Sequence, residues 1–224
     1  MNNISVLRKL RSGLKIVCER GFFEFLKELS KKIYFQYRAN LYVYDLIVSD
    51  KKHFCEDEHV KIVTNRFDET IDWLVSLNIP GLANPYEIEN IRNEGHLIYT
   101  LLVNNLVAGC IKVGKGKVFI SDFKTTFIFP QDSAFIMDSF IHPNFRGKKL
   151  FHPLISRVIN DLKEAGYRHL YCHIRIDNLP SIAAYGKSGF KKIAGISYKK
   201  MLWKQAVDLP TDFLDALIII NEKK

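Results

Sequence analysis

Residues 136–190 constrain the fold more than any other stretch of this 224-residue chain. An apolar strand over residues 135–141 runs into a basic loop, Arg146-Gly147-Lys148-Lys149, which opens a helix reaching Lys163. A second strand over residues 169–174 then feeds a short helix that carries Asn178, Ser181 and Tyr185 and ends at Gly189-Phe190. Strand, loop and helix N-terminus in this order make an anion site. The N–H groups of a first helical turn have no intrahelical partner, and the helix dipole adds positive potential at the same point. Arg146, Lys148 and Lys149 add formal charge there, so a diphosphate suits the site. Pro153 fits the first turn, where a missing N–H costs nothing.

The rest of the chain supplies partners for these elements. Residues 96–103 and 106–113 are rich in β-formers and are joined by Asn104-Asn105, a two-residue hairpin signal. Residues 67–77 predict a helix with Ile71, Leu74 and Val75 on its inner face. Residues 85–94 predict another, with Glu87, Glu89 and Glu94 on its surface. Gly114-Lys-Gly-Lys117 reads as a hairpin turn, and residues 118–121 and 125–129 continue the strands as a meander. Residues 191–203 predict one or two final strands, and residues 210–220 fit a helix or a strand equally. Hairpins followed by strand–helix–strand–helix–strand predict an α/β (α+β) fold with a mixed, mostly antiparallel central sheet flanked by helices.

Net charge is +9, and its distribution says more than its size. Residues 1–40 hold nine basic residues against three acidic ones, so most of the excess lies there. Apolar residues recur at helical spacing over residues 4–38, which predicts two helices separated at Gly21. The polar segment 49–57 marks a boundary, giving a basic helical extension over residues 1–55 and a main domain over residues 56–224. Such an extension packs on the main domain or on a second copy of the chain. The sharper alternative is an amphipathic element lying on an anionic membrane surface. Nucleic-acid binding ranks last, because no helix-turn-helix, zinc or RNA-binding motif supports it. No apolar run is long enough to span a membrane. Cys18, Cys55, Cys110 and Cys172 lack paired spacing and read as reduced thiols of a cytoplasmic protein, at most peripheral at the inner membrane surface. No metal-ligand cluster stands out.

Two motifs carry a family resemblance. Arg146-Gly147-Lys148 follows His142-Pro143, and Asn178-x-x-Ser181-x-x-Ala184-Tyr185-x-Lys187-x-Gly189-Phe190 comes after it. Together they resemble the acetyl-CoA-binding core of the GNAT N-acetyltransferase superfamily, over residues 136–200. The resemblance implies transfer of an acetyl group from acetyl-CoA to a primary amine, by direct attack in a ternary complex. It implies that Arg146, Gly147, Lys148, Lys149, Leu150 and Phe151 cradle the CoA diphosphate, and that backbone at Phe140 and Ile141 binds the thioester arm. Asn178 and Ser181 would contact the CoA arm or fix the turn before the helix. Tyr185 would protonate the departing sulfur, a task suited to a phenol titrating near pH ~10. Asp138, a carboxylate on a core strand, would take the proton from the amine or bind its ammonium; His142 and His173 rank behind it.

The sequence departs from the family pattern at two places. Counted from Arg146, the fourth and sixth positions carry Lys149 and Phe151 where the family has small residues, glycine at the fourth. Lysine still supplies its N–H and adds charge, whereas phenylalanine must turn into the helix packing. The expected acceptor is a small molecule such as an amino sugar. A protein or peptide amine is the alternative within the enzyme class. A non-catalytic acyl-CoA-binding module, working through its N-terminal helices, is the alternative outside it.

Overall fold

The computed structural model describes residues 34–48, 59–79, 83–201, 204–208 and 218–220. The helices expected within residues 4–33 lie outside this set, as do the membrane and self-association readings that rest on them. The described residues divide into two compact units, one of residues 34–37 with 197–201 and 204–208, the other of residues 38–196 with 218–220. Among the described residues no helix is long and apolar enough to cross a membrane.

The large unit is built on a sheet with the strand order β1-β8-β7-β4-β3-β2. These strands are β1 (Tyr34–Asp45, which enters this unit at Arg38), β2 (Val60–Thr64), β3 (Leu97–Val103), β4 (Leu106–Lys115), β7 (Ser133–Ile141) and β8 (His169–Arg175). Every neighbouring pair is antiparallel except β7 and β8, which run parallel. A parallel pair needs a crossover, and α3 (Phe151–Glu164) supplies it. Its apolar stripe, Leu154, Ile155, Val158, Ile159 and Leu162, joins Tyr99, Ile111, Ile136, Leu170 and Cys172 in the main core. On the other face lie α1 (Phe67–Ser76) and α2 (Pro85–Asn93). The Thr70 and Thr100 hydroxyls meet at 2.6 Å beneath α1. Asn84 caps α2, its side chain accepting from the N–H groups of Tyr86 and Glu87. A second helix on the core side, α4 (Leu179–Lys187), follows β8.

Several expectations are corrected. Residues 34–38 are strand, not helix, and β1 pairs with β8 from Ala39 to Asp45. Alternation explains this, because Tyr37, Ala39 and Leu41 are buried while Arg38 is exposed. Gly114–Lys117 is not a hairpin turn. It carries the chain from β4 into a separate sheet of order β11-β6-β5, where β5 (Lys117–Ile120), β6 (Thr125–Ile128) and β11 (Ile218–Ile220) pair antiparallel. The undecided C-terminal segment therefore includes a strand. Val75 on α1 faces outward, and Glu87 on α2 is buried rather than on the surface. In the small unit, β10 (Lys204–Asp208) pairs antiparallel with the end of β9 (Lys191–Met201), from Lys204 opposite Met201 to Asp208 opposite Ser197.

Candidate functional site

The site begins where β7 and β8 part. Their parallel pairing runs from Ser133 opposite His169 to Ile136 opposite Cys172 and then stops. On its other side β7 stays paired with β4 as far as Ile141 opposite Gly109. The break coincides with a β-bulge. Val113 lies opposite Ile136 but Lys112 lies opposite Asp138, so Met137 is the extra residue. A bulge bends its strand and increases the local twist, which turns the end of β7 away from β8. Residues 138–141 are half-buried, whereas residues 133–137 are buried. Past the bulge, alternate residues serve opposite faces of β7: Ser139 meets α4, while Asp138 meets Lys112 of β4 and Phe140 meets Trp73 of α1.

Tyr185 reaches this gap from α4. Asn178 starts that helix by accepting a hydrogen bond from the Ser181 N–H at 3.3 Å. Gly189, at φ +97°, ends it and turns the chain into Phe190. Tyr185 is 3% exposed, with its ring centroid 4.9 Å from Phe151 and 5.0 Å from Phe190. Its hydroxyl donates to Ser139 Oγ at 2.9 Å. Burial pushes the phenol well above its ordinary range, so Tyr185 keeps its proton and is a donor. Ser139 was missed in the sequence; its only signal was its place beside Asp138 on the central strand.

The basic loop follows β7 through a 3-10 turn at Pro143–Phe145, where His142 Nδ1 accepts from the Asn144 N–H at 3.3 Å. Arg146 is tied back to the strand. Its Nε donates to the Ile141 carbonyl at 3.0 Å, and its guanidinium lies 5.8 Å from the Phe140 ring centroid. Gly147 and Lys149 both adopt left-handed backbone, at φ +77° and +57°. Glycine takes this conformation freely, but lysine pays in steric strain. Leu150 at the N-cap has no polar side chain to offer, so it makes no side-chain cap on the first-turn N–H groups of α3. Phe151 packs against the Tyr185 ring, on the inner side of α3. Lys149→Gly is expected to stabilise the fold by about 0.5–1 kcal/mol and to weaken binding of a phosphate-bearing ligand by removing a charge. Thermal melting and a ligand titration on the same sample check both signs.

On the opposite face three charged groups meet. Lys112 is 1% exposed, and its Nζ lies 2.8 Å from Glu87 Oε1 and 3.3 Å from Asp138 Oδ2. Glu87 Oε2 accepts from Ser121 Oγ at 3.1 Å. The Asp138 side chain is 31% exposed. Burial alone pulls the Lys112 ammonium down, but Asp138 and Glu87 outweigh it and hold the group charged. Burial raises the Glu87 carboxyl, opposed by Lys112. Lys112 and Glu87 escaped the sequence reading because one sat in an apolar strand and the other on a helix assumed to face water.

The remaining candidates have structural partners. His173, the first β8 residue past the last β7 pair, places Nε2 2.8 Å from Asp122 Oδ2 and stacks on Phe135. His142 lies among Trp73 and Phe145. Cys110 and Cys172 are buried free thiols. Burial pushes Cys110 up to about 12 and Cys172 well above its usual range, so neither presents a thiolate nucleophile near neutral pH.

Known structures share this architecture at low identity. A GCN5-related N-acetyltransferase from Sphaerobacter thermophilus superposes with a TM-score of 0.55 at 10% identity, over 83% of this chain and 58% of that one. A tandem GNAT protein from the clavulanic acid biosynthesis pathway gives 0.54 at 15% identity, over 75% and 54%. A GNAT-family protein from Novosphingobium aromaticivorans gives 0.51 at 13% identity, over 79% and 66%. The chain thus spans roughly half to two thirds of the length of these structures. A search of curated proteins finds no match. The sequence itself matches the Acetyltransferase (GNAT) family over residues 66–190, which takes in α1, the parted strands, the basic loop and Tyr185. With more than half of its length in that match, the chain belongs to the GNAT acetyltransferase family.

Proposed function

We propose that the protein transfers an acetyl group from acetyl-CoA to a primary amine of a small molecule, such as an amino sugar, by direct attack. The observation that carries this reading is the parting of β7 and β8 after Ile136 and Cys172, with a buried phenol on one face of β7 and a carboxylate about a third exposed on the other. Acetyl-CoA supplies an acyl group already activated as a thioester.

The residues fit that cosubstrate. The loop from Gly147 to Phe151 holds the diphosphate through backbone N–H groups, helped by the left-handed turns at Gly147 and Lys149 and by the uncapped start of α3. Arg146 and Lys148 supply charge at its edge. The β7 edge at Phe140 and Ile141, beyond the β8 pairing, receives the thioester arm and polarises its carbonyl. Asn178 and Ser181 shape the start of α4. Across the reaction one C–N bond forms and one C–S bond breaks. Asp138 takes the proton that the amine gives up, Tyr185 gives one to the departing sulfur, and solvent restores both. Neither described thiol, Cys110 or Cys172, is poised to take the acyl group, which favours direct transfer.

A calorimetric titration of the folded protein with acetyl-CoA, plain CoA and a longer acyl-CoA is the first test. Saturable binding, followed by acetyl transfer in a screen of amine acceptors, is the expected result. Absence of binding at millimolar ligand overturns the reading and leaves a GNAT fold without this cosubstrate.

A further inference from the structure

A lysine buried as deeply as Lys112 needs a compensating anion, because removing an ammonium from water costs several kcal/mol. One carboxylate suffices for neutrality, yet two converge on it. Their situations differ. Glu87 is 4% exposed and its second oxygen is taken up by Ser121, so it serves the interior. Asp138 lies at the end of β7 that has left β8, about a third exposed. Strand register places Lys112 directly opposite Asp138, one step past the bulge at Met137. Among the described residues two carboxylates thus converge on one ammonium, and the more exposed of the two is Asp138.

We propose that Lys112 and Glu87 are positioning residues for acyl transfer: Lys112 holds the Asp138 carboxylate at the amine side of the gap, Glu87 anchors Lys112, and the balance between them sets how readily Asp138 takes a proton. The inference rests on the reading of Asp138 as the base. Among the described residues, titratable groups that act on Asp138 come from three elements: Lys112 and Cys110 on β4, Glu87 on α2 and Tyr185 on α4. Burial keeps the Cys110 and Tyr185 protons in place, so among these four groups Lys112 and Glu87 are the ones that act as charges.

Two variants separate positioning from mere support. Lys112→Met removes the cation and leaves Asp138 facing Glu87, so its proton is held more tightly. Glu87→Gln is isosteric and removes the competing anion, so the proton is released more easily. The acidic limb of the kcat/KM profile should move to higher pH by about one unit or more in Lys112→Met and to lower pH in Glu87→Gln. The Asp138 carboxyl, followed by carbon-13 NMR, should move with it. A structural role would reduce melting temperature and activity but leave both midpoints where they are. Midpoints that stay fixed, or move the same way in both variants, overturn the inference while wild-type acetyl transfer stands. Should Lys112→Met fail to fold, the direction of the Glu87→Gln shift decides alone. A wild-type protein that binds acetyl-CoA but acetylates no amine sinks the base role itself; the NMR titration then still decides whether Lys112 and Glu87 govern the Asp138 proton.

Discussion

Replacing Tyr185 with phenylalanine is expected to lower kcat for acetyl transfer by roughly 10²-fold, the lower end of what a general acid contributes, with acetyl-CoA affinity nearly unchanged. The ring is wedged against Phe151 and Phe190, and phenylalanine keeps those contacts. What is lost is one hydroxyl and its bond to Ser139. Ser139 is half-buried and can turn to water, so the stability cost stays near 1 kcal/mol. A large kinetic effect on a small structural one is the signature of a proton donor. A core tyrosine with no chemical role would show the reverse, a modest loss of melting temperature and an unaltered kcat.

The same geometry sets the pH behaviour. Burial raises the Tyr185 phenol above its usual range, so the protonated form persists as pH rises. An alkaline fall in kcat below pH ~10 would then have to come from another group. Ser139→Ala should lower kcat less than Tyr185→Phe, because it removes the hydroxyl that receives the Tyr185 proton in the resting state and not the donor.

The central part of the fold was legible because each signal there is local. The Asn104-Asn105 hairpin turn, Asn178 at a helix start and Gly189 at its end act within a few residues, and the structure places each as expected. The parts that were not legible depend on long-range pairing. Whether the strand after Gly116 pairs back on β4 or leaves for another sheet is decided by β6 and β11, far along the chain. The burial of Glu87 depends on Lys112, 25 residues away and on a different element. An acidic residue in the first turn of a helix ordinarily looks solvated, and only the facing strand shows otherwise. The charged cluster was thus half visible: Asp138 stood out on an apolar strand, but its partners did not. Lys149 illustrates the opposite case. It was read as a departure from glycine, and its left-handed backbone supplies the physical reason that glycine suits that place.

Gly109→Val should be the most damaging single change at the end of β7. In the β4–β7 ladder Gly109 lies directly opposite Ile141. A Cβ at position 109 would lie 2.6 Å from the Phe140 carbonyl oxygen and 2.6 Å from Ile141 Cδ1. The carbonyl belongs to the backbone and cannot swing aside, so β7 must move. Overpacking of this kind costs about 1–3 kcal/mol, or roughly 2–4 °C in melting temperature per kcal/mol for a chain of this size. The displaced residues are those proposed to receive the thioester arm, and a misplacement near 1 Å is worth about 10²-fold in rate. kcat/KM should therefore fall far more than stability does. Gly186→Ala is the matched control: it sits beside Tyr185 on α4, and an added Cβ there meets nothing within 4 Å. A Gly109→Val protein that melts lower but binds acetyl-CoA and turns over normally would show that the end of β7 holds the sheet together without holding the cosubstrate.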